Sequence, residues 1–191
     1  EKGSMGKPGL LSGVIYYGPQ SHMGDIEKNT NEGIFGTVNQ QFKKQISGEP
    51  MEIACRQDVK QGPAYIRSNI SGELKDYAIE IQKVDYNSGH KNKSMVIKVT
   101  DPELLELTGG IVQGMSGSPI IQDGKLAGAV THVFVQDASR GDGILSEYVV
   151  EFSALTSVLT SVPASLSSPN HPPRQISTNP ASPPPSILPK F

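Results

Sequence analysis

Two stretches of this chain alternate apolar and polar side chains with a period of two residues, and this alternation limits the fold more than any other feature. The stretch DYAIEIQKV, residues 76–84, puts Tyr77, Ile79 and Ile81 on one face and polar side chains on the other. The stretch SMVIKVT, residues 94–100, repeats the pattern. A period of two is that of a β-strand with one buried face. Both stretches are therefore predicted to be half-buried strands.

Short apolar runs separated by Gly, Asn and Pro extend this pattern as far as about residue 135. LSGVIYY, GIFGTV, MEIAC and AYIRSNI are each predicted to be strands. This part shows no internal repeat and no long helical period, and the 20 glycines and 15 prolines of the 191-residue chain suit many turns. We predict a mainly β fold, an antiparallel barrel or sandwich, after a flexible lead segment at residues 1–9.

One short helix is predicted among these strands, in the stretch TDPELLELTGG. Asp101 stands where an N-cap belongs, and Pro102 occupies the first turn. Leu104 and Leu105 supply apolar contacts, and Gly109 provides the stop. About two turns of helix fit this pattern.

The composition changes beyond residue 143. Residues 144–162 include SEYVVEFSALTSVLTSV, which fits either a helix or a linker because its many β-branched residues weaken the helical pattern. Residues 163–191 form a Ser/Pro-rich tract with few residues able to build a core. Such a tract cannot offset its ordering entropy by burial, so a disordered tail is predicted.

The bulk composition excludes several classes of protein. A net charge of −2 with a pI of about 6.1 gives no electrostatic reason to expect nucleic acid or an acidic membrane surface as a partner. The single cysteine, Cys55, excludes an internal disulfide framework and a cysteine-based zinc cluster. Neither a cofactor nor a metal is predicted. No apolar run has the length of a membrane span or the form of a signal peptide, although a signal or anchor upstream of Glu1 is compatible with the sequence.

The stretch VQGMSGSPIIQDGKLAGAVTHV, residues 112–133, is the strongest candidate for a reactive site. Gly114, Ser116 and Ser118 lie together just before a predicted hairpin whose Asp-Gly turn is of the type I′ kind. A serine nucleophile in acyl transfer needs a tight turn with small neighbours and convergent backbone N–H groups.

Two serines compete for the role of nucleophile. The pattern Gly-x-Ser-Gly-x-Pro favours Ser116, with the N–H groups of Gly114 and Ser116 as an oxyanion hole. Ser118 lies beside Pro119 at the strand start. The alternative interpretation is a Gly-rich turn that leads into an ordinary hairpin, with both serines merely solvated or capping.

Residues 100–137 closely resemble the catalytic segment of the SpoIVB-type serine peptidases, the stage IV sporulation protein B family of endospore-forming bacteria. GDIEKNTNEGIFGTV, residues 24–38, and KQGPAYI, residues 60–66, resemble other parts of the same domain in the same order. The resemblance covers about residues 1–143. It implies a chymotrypsin-like β-barrel endopeptidase, incomplete at its N-terminus, that acts on protein or peptide substrates.

The resemblance also implies partners and a location. Family members are exported or membrane-anchored, act in the space between the mother-cell and forespore membranes, and normally carry a PDZ domain upstream. They cut themselves and a regulator of a membrane-embedded protease. These properties are expectations for the full-length protein, since residues 1–191 contain no signal.

Catalytic roles carry over from the family to particular residues. Ser116 matches the nucleophile, and Asp101, 15 residues earlier, matches the aspartate of the triad. Asp101 is equally well interpreted as the N-cap of the predicted helix, and the two roles are compatible. By analogy with chymotrypsin-like folds, Thr131, His132 and Val133 form the strand that lies beside the substrate.

The general base is the missing component. The family carries its histidine in an Ala-Leu-Gly-His type stretch, and residues 1–191 contain none, so we expect the chain to begin after the base and to have little activity. His22 has Asp25 nearby but introduces a later segment of the domain. His90 is expected in a loop, His171 in the tail, and His132 at the rim of the substrate pocket.

Two further functions remain open at this stage. One is a non-catalytic, peptidase-like module that binds peptides but lacks the general base. The other is a structural β-domain with a coincidental Gly-Ser turn. A Gly-His motif upstream of Glu1 would favour the enzyme.

Overall fold

The computed structural model describes residues 1–4, 6–13, 17–44 and 49–160, with side chains described as far as residue 153. It contains eight strands within these ranges: β1 (Gly24–Thr30), β2 (Gly33–Val38), β3 (Gly62–Ser68), β4 (Lys75–Val84), β5 (Met95–Val99), β6 (Pro119–Gln122), β7 (Lys125–Val133) and β8 (Arg140–Leu145). The helices in the same ranges are α1 (Gln40–Lys43), α2 (Pro102–Thr108) and α3 (Ser146–Thr160), with short 3₁₀ turns at Pro19–Ser21 and Lys91–Lys93. The tail predicted at residues 163–191 lies outside the described residues.

Six of the strands close into an antiparallel barrel in the order β3-β4-β5-β8-β7-β6. Strands β1 and β2 form a separate hairpin. The predicted fold class, a mainly β chymotrypsin-like antiparallel barrel, is confirmed. Closure pairs every strand of the barrel on both sides along part of its length, which leaves only short segments of free sheet edge.

The period-two pattern predicted the core of the barrel correctly. Tyr77, Ile79 and Ile81 on β4 are at most 2% exposed, and Met95, Ile97 and Val99 on β5 at most 1%. Register confirms the arrangement, because Ile79 lies opposite Val99 and Ile81 opposite Ile97. The alternating faces therefore meet inside the barrel.

The barrel extends past residue 143, where the peptidase domain was expected to end. Strand β8 runs to Leu145, which is fully buried, and α3 follows directly. Glycine allows β7 and β8 to approach closely, since a Cβ built on Gly128 would lie 2.0 Å from the Ile144 carbonyl oxygen. Residues 161 and 162, the end of the expected helix-or-linker segment, lie outside the description.

Two of the predicted strands are absent from the described residues. Residues 51–55 (MEIAC) make only an isolated bridge, between Ile53 and Leu126. In the stretch LSGVIYY, residues 11–13 and 17 are not in a strand, and residues 14–16 lie outside the description. Around Ile53, the Ala54 N–H donates to the Leu126 carbonyl oxygen and the Leu126 N–H to the Glu52 carbonyl oxygen, at 3.0 and 2.8 Å, so residues 52–54 contact β7 at one point.

Helix α2 has the predicted length and caps. The Asp101 side chain accepts a hydrogen bond from the Leu104 N–H, and Gly109 ends the helix in the left-handed conformation with φ of 78°. Among the described residues, no helix is long and apolar enough to cross a bilayer.

Candidate active site

Ser116 is presented on a tight turn directly before β6. Gly114 and Gly117 flank it with φ of 106° and 88°, values that L-residues with a Cβ rarely adopt. Met115 is buried, with 1% of its surface exposed, whereas Ser116 is exposed. The buried methionine anchors the turn in the barrel, and the glycines on either side bring the serine hydroxyl out to solvent.

The backbone N–H groups of this turn divide into two sets. Those of Met115, Gly117 and Ser118 donate to the carbonyl oxygens of Val112, Val130 and Met115, at 3.1, 2.8 and 3.0 Å. The N–H groups of Gly114 and Ser116 donate no hydrogen bond within the described part of the chain. Two unpaired donors beside an exposed hydroxyl can bind a developing negative charge.

Strand β7 lies beside the serine. The Ser116 hydroxyl donates a 2.9 Å hydrogen bond to the Thr131 carbonyl oxygen, and the Thr131 hydroxyl donates to the Asn92 carbonyl oxygen at 2.6 Å. A register shift between Val130 and His132 marks the point where β7 bends. The expected substrate strand, residues 131–133, is therefore adjacent to Ser116.

One edge of this strand segment has no strand partner in the described ranges. His132 and Val133 pair with Asp142 and Gly141 on β8, whereas the β6 ladder with β7 reaches only as far as Ala129. A substrate in extended conformation could add to this edge by backbone hydrogen bonds.

Among the described residues, no histidine forms a hydrogen bond with Ser116. His132 is exposed on β7, opposite the buried Asp142, whose carboxylate lies 3.8 Å from the Lys93 ammonium. The His22 Nε2 lies 3.3 Å from a carboxylate oxygen of Asp25, and both side chains are exposed. His90 stands at the N-cap position of the Lys91–Lys93 turn, and its side chain makes no cap hydrogen bond.

His171 lies outside the described residues. Within the described part, the only side-chain hydrogen bond of Ser116 is the one to Thr131, so no described imidazole is bonded to the serine.

Each oxygen of the Asp101 carboxylate accepts a backbone hydrogen bond. One oxygen accepts from the Leu104 N–H at 3.0 Å and the other from the Ala78 N–H at 3.2 Å, while the Asp101 N–H donates to the Ala78 carbonyl at 2.9 Å. The predicted N-cap is confirmed, and the carboxylate also ties α2 to β4. No hydrogen bond joins Asp101 to Ser116 or to a histidine in the described part.

Residues near the N-terminus contribute to the site in a way that the sequence patterns did not predict. Residues 1–9 were expected to be a flexible lead segment, but Gly9 and Leu11 form backbone hydrogen bonds with Gln113, next to the serine turn. Gly3 donates to the Thr108 carbonyl oxygen at 2.8 Å. The glycines at positions 3 and 9 were the available signal, since they permit this close approach.

The described residues include no group of three or more His, Cys, Asp or Glu side chains placed to hold a metal ion. The chemistry that the turn supports is that of a serine hydroxyl, two N–H donors and a strand edge.

Comparison with known proteins gave one family and several solved structures. The sequence model of the SpoIVB peptidase S55 family matches residues 1–150, which extends past residue 143 and into α3. No curated protein sequence matches the chain.

The fold is similar to that of the active form of the Rv3671c protease from M. tuberculosis, with 15% identity, a TM-score of 0.49, and coverage of 69% of this chain and 56% of that one. An inactive serine-to-alanine mutant of Rv3671c from M. tuberculosis H37Rv gives 13% identity, a TM-score of 0.45, and coverage of 74% and 67%. The chain thus spans little more than half the length of the first of these proteases.

Proposed function

Because the chain belongs to the SpoIVB peptidase S55 family, we propose that residues 1–150 act as the serine endopeptidase domain of a sporulation signalling protease, with Ser116 as the nucleophile. Its substrate is a protein or peptide segment bound in extended conformation along residues 131–133.

The observation that carries this proposal is the pairing pattern of the serine turn. The N–H groups of Gly114 and Ser116 are left without acceptors in the described part of the chain, while the three other N–H groups of residues 114–118 are all bonded. Both residues are exposed, so the two donors can bond to water in the free protein and to a substrate oxygen in the complex. An oxyanion hole requires both.

The reaction follows from these groups. The Ser116 Oγ attacks the scissile carbonyl carbon as a general base removes its proton, and the carbonyl oxygen becomes an oxyanion held by the N–H groups of Gly114 and Ser116. The tetrahedral adduct collapses, the C–N bond breaks, and the base returns the proton to the leaving amine. Water then attacks the acyl-serine by the same steps and releases the second product.

Two further roles complete the proposed triad. Asp101 is proposed as the aspartate, on the strength of its position 15 residues before Ser116 and of the family resemblance. The general base is proposed to be a histidine other than the four in residues 1–191. His132 is proposed to line the substrate pocket at its rim.

The biological setting is proposed from the family alone. The full-length protein is expected to cut itself and a regulator of a membrane-embedded protease, with a PDZ domain in the same chain. It would act after export or anchoring, between the mother-cell and forespore membranes.

A second function, a peptide-binding module without catalysis, is favoured by one observation. The Ser116 hydroxyl donates to the Thr131 carbonyl oxygen, which is not a base. A domain of this kind would still bind an extended peptide at the free edge of β7.

Self-cleavage of the full-length gene product distinguishes the two functions. We expect the wild-type protein to produce discrete fragments, and the Ser116→Ala variant to stay intact. Ser118→Ala is the matched control, since Ser118 lies two residues away on the same turn, and it should be cut like the wild type. Equal fragmentation of wild type and Ser116→Ala would exclude Ser116 as the nucleophile, and a wild type that binds peptides without cutting any would favour the binding module.

A further inference from the structure

Residues 1–11 fold back on themselves as a small N-terminal hairpin, described here without residue 5. The Leu10 N–H donates to the Glu1 carbonyl oxygen at 3.0 Å, and the Glu1 nitrogen donates to the Leu10 carbonyl oxygen at 2.7 Å. Ser4 and Lys7 exchange two backbone hydrogen bonds, at 2.9 and 3.0 Å. The hairpin therefore has its own hydrogen-bonded frame.

This hairpin is docked at the end of α2. The Gly3 N–H donates to the Thr108 carbonyl oxygen at 2.8 Å, and the Lys2 ammonium to the Glu106 carbonyl oxygen at 2.7 Å. Both acceptors belong to the last turn of a helix, where carbonyl oxygens have no helical partner. The hairpin thus satisfies groups that α2 cannot satisfy internally.

The same hairpin is hydrogen-bonded to the chain just before the serine turn. The Gln113 N–H donates to the Gly9 carbonyl oxygen at 2.8 Å, and the Leu11 N–H donates to the Gln113 carbonyl oxygen at 2.9 Å. Gly9 allows this approach, because a Cβ at that position would lie 2.7 Å from a methyl carbon of Val112. Leu10 and Gln113 form the resulting parallel bridge.

The hydrogen bond from the Leu11 N–H to the Gln113 carbonyl oxygen fixes the orientation of one peptide group. The Gln113 carbonyl and the Gly114 N–H belong to one planar trans peptide, so the C=O bond and the N–H bond point in opposite directions. When the Gln113 oxygen is held toward Leu11, the Gly114 N–H must point away from the hairpin. A flip of this peptide would reverse the N–H and break the bond to Leu11.

We infer that the Leu11 N–H is a positioning group for the oxyanion hole, and that the N-terminal hairpin holds the Gly114 N–H in its catalytic orientation. This inference rests on the proposed function of Ser116. Leu11 touches no reacting atom; it acts through the peptide that joins Gln113 to Gly114.

The Leu11 side chain supports the same peptide. A Cβ built on Gly114 would lie 3.0 to 3.3 Å from three carbon atoms of Leu11, so the leucine packs directly over the glycine. Gly114 has φ of 106°, a region in which glycine is conformationally free and a peptide flip is easy. The leucine and its N–H together restrict that freedom.

The test has a structural arm and a chemical arm. In residues 1–191, NMR should detect a scalar coupling across the hydrogen bond between the Leu11 ¹⁵N and Gln113 ¹³C′ nuclei, and its absence would contradict the inference. In the full-length protein, we compare the rates at which a fluorophosphonate acylates Ser116 in wild type and in Leu11→Pro, which lacks the N–H. The loss of one oxyanion donor should slow acylation by about 10²–10³-fold.

Controls separate positioning from folding. Gly13→Pro adds the same ring where the N–H donates no hydrogen bond in the described part and a Cβ would meet nothing within 4 Å, so it should react like the wild type. Leu11→Ala keeps the N–H and should lose less than Leu11→Pro. If Leu11→Pro fails to fold, Gly9→Ala replaces it, because its Cβ would lie 2.5 and 2.6 Å from backbone atoms of Glu1 and Gly3 and would distort the hairpin, and the same slowing is expected.

The possible outcomes separate the inference about Leu11 from the proposed function of Ser116, on which it rests. Equal acylation rates in wild type and in a folded Leu11→Pro or Gly9→Ala variant would overturn the inference and leave the function of Ser116 intact. A full-length wild-type protein that is not labelled at Ser116 would overturn the proposed function, and the role of Leu11 with it.

Discussion

The Ser116 hydroxyl donates its hydrogen bond to the Thr131 carbonyl oxygen, over 2.9 Å. This bond orients the serine toward the strand on which the substrate is proposed to lie. A carbonyl oxygen cannot remove the hydroxyl proton, so the bond leaves Ser116 oriented but not activated. Activation requires an imidazole that displaces this contact.

We predict that residues 1–191 alone have little peptidase activity. Without a base, oxyanion donors and binding leave only a small acceleration, roughly 10³–10⁴-fold over water in serine proteases stripped of their triad. Acylation of this chain by a fluorophosphonate should differ little from that of its Ser116→Ala variant. Labelling at a rate typical of active proteases would refute this prediction, and its loss in His132→Ala or His22→Ala would then identify the base.

A second prediction separates the two roles of Asp101. Asparagine caps a helix about as well as aspartate, so Asp101→Asn keeps an acceptor for the Leu104 N–H but loses the acceptor for the Ala78 N–H. If Asp101 also orients the imidazole, Asp101→Asn should lower turnover of the full-length enzyme by orders of magnitude, while its free energy of unfolding falls by about 1–3 kcal/mol, the cost of one unpaired N–H. Peptide cleavage and urea denaturation measure the two effects. Normal turnover would leave Asp101 only its capping role.

A third prediction concerns the pH dependence of barrel stability. Arg67 and Asp76 lie opposite each other on β3 and β4, and the guanidinium donates to the carboxylate at 2.6 and 2.7 Å. These hydrogen bonds lower the pKa of the Asp76 carboxyl below its usual value. The pair therefore contributes stability that is present above about pH 4, the range of an unfolded aspartate, and is lost as pH falls through the lowered pKa.

Comparison of the wild type with Asp76→Asn tests this by urea denaturation at several pH values. The pair is partly exposed, so the difference in unfolding free energy at pH 7 should be small, between about 0.2 and 1 kcal/mol, and should shrink in acid. Glu32→Gln is the control, since the Glu32 carboxylate forms no ion pair among the described residues. If the difference in unfolding free energy between the wild type and Asp76→Asn grew as pH fell, the predicted direction of the pH dependence would be wrong.

Local patterns in the sequence predicted the features that depend on neighbouring residues. The period of two on β4 and β5 placed the core correctly, and the Asp-Gly turn has the positive φ at both Asp123 and Gly124 that a type I′ hairpin needs. The caps of α2 at Asp101 and Gly109 were equally readable. Each of these signals is contained within about ten residues.

Features that depend on distant contacts were not readable. The docking of the N-terminal hairpin depends on a partner about a hundred residues away, Gln113, which no local pattern reveals. Residues 51–55 have the composition of a strand, yet only a single bridge to Leu126 is available to them. The peptidase domain was expected to end at residue 143, where the composition changes, whereas β8 continues to Leu145, and Ile144 and Leu145 are buried and pair with β7.

Site-resolved labelling of the full-length protein by a fluorophosphonate tests most directly the claim that Ser116 is the nucleophile of a serine peptidase. Mass spectrometry of the labelled digest locates the adduct, and Ser116→Ala and Ser118→Ala are compared with the wild type. The account predicts an adduct on Ser116 in the wild type and in Ser118→Ala, and no adduct in Ser116→Ala. An adduct that persists in Ser116→Ala and disappears in Ser118→Ala would contradict it.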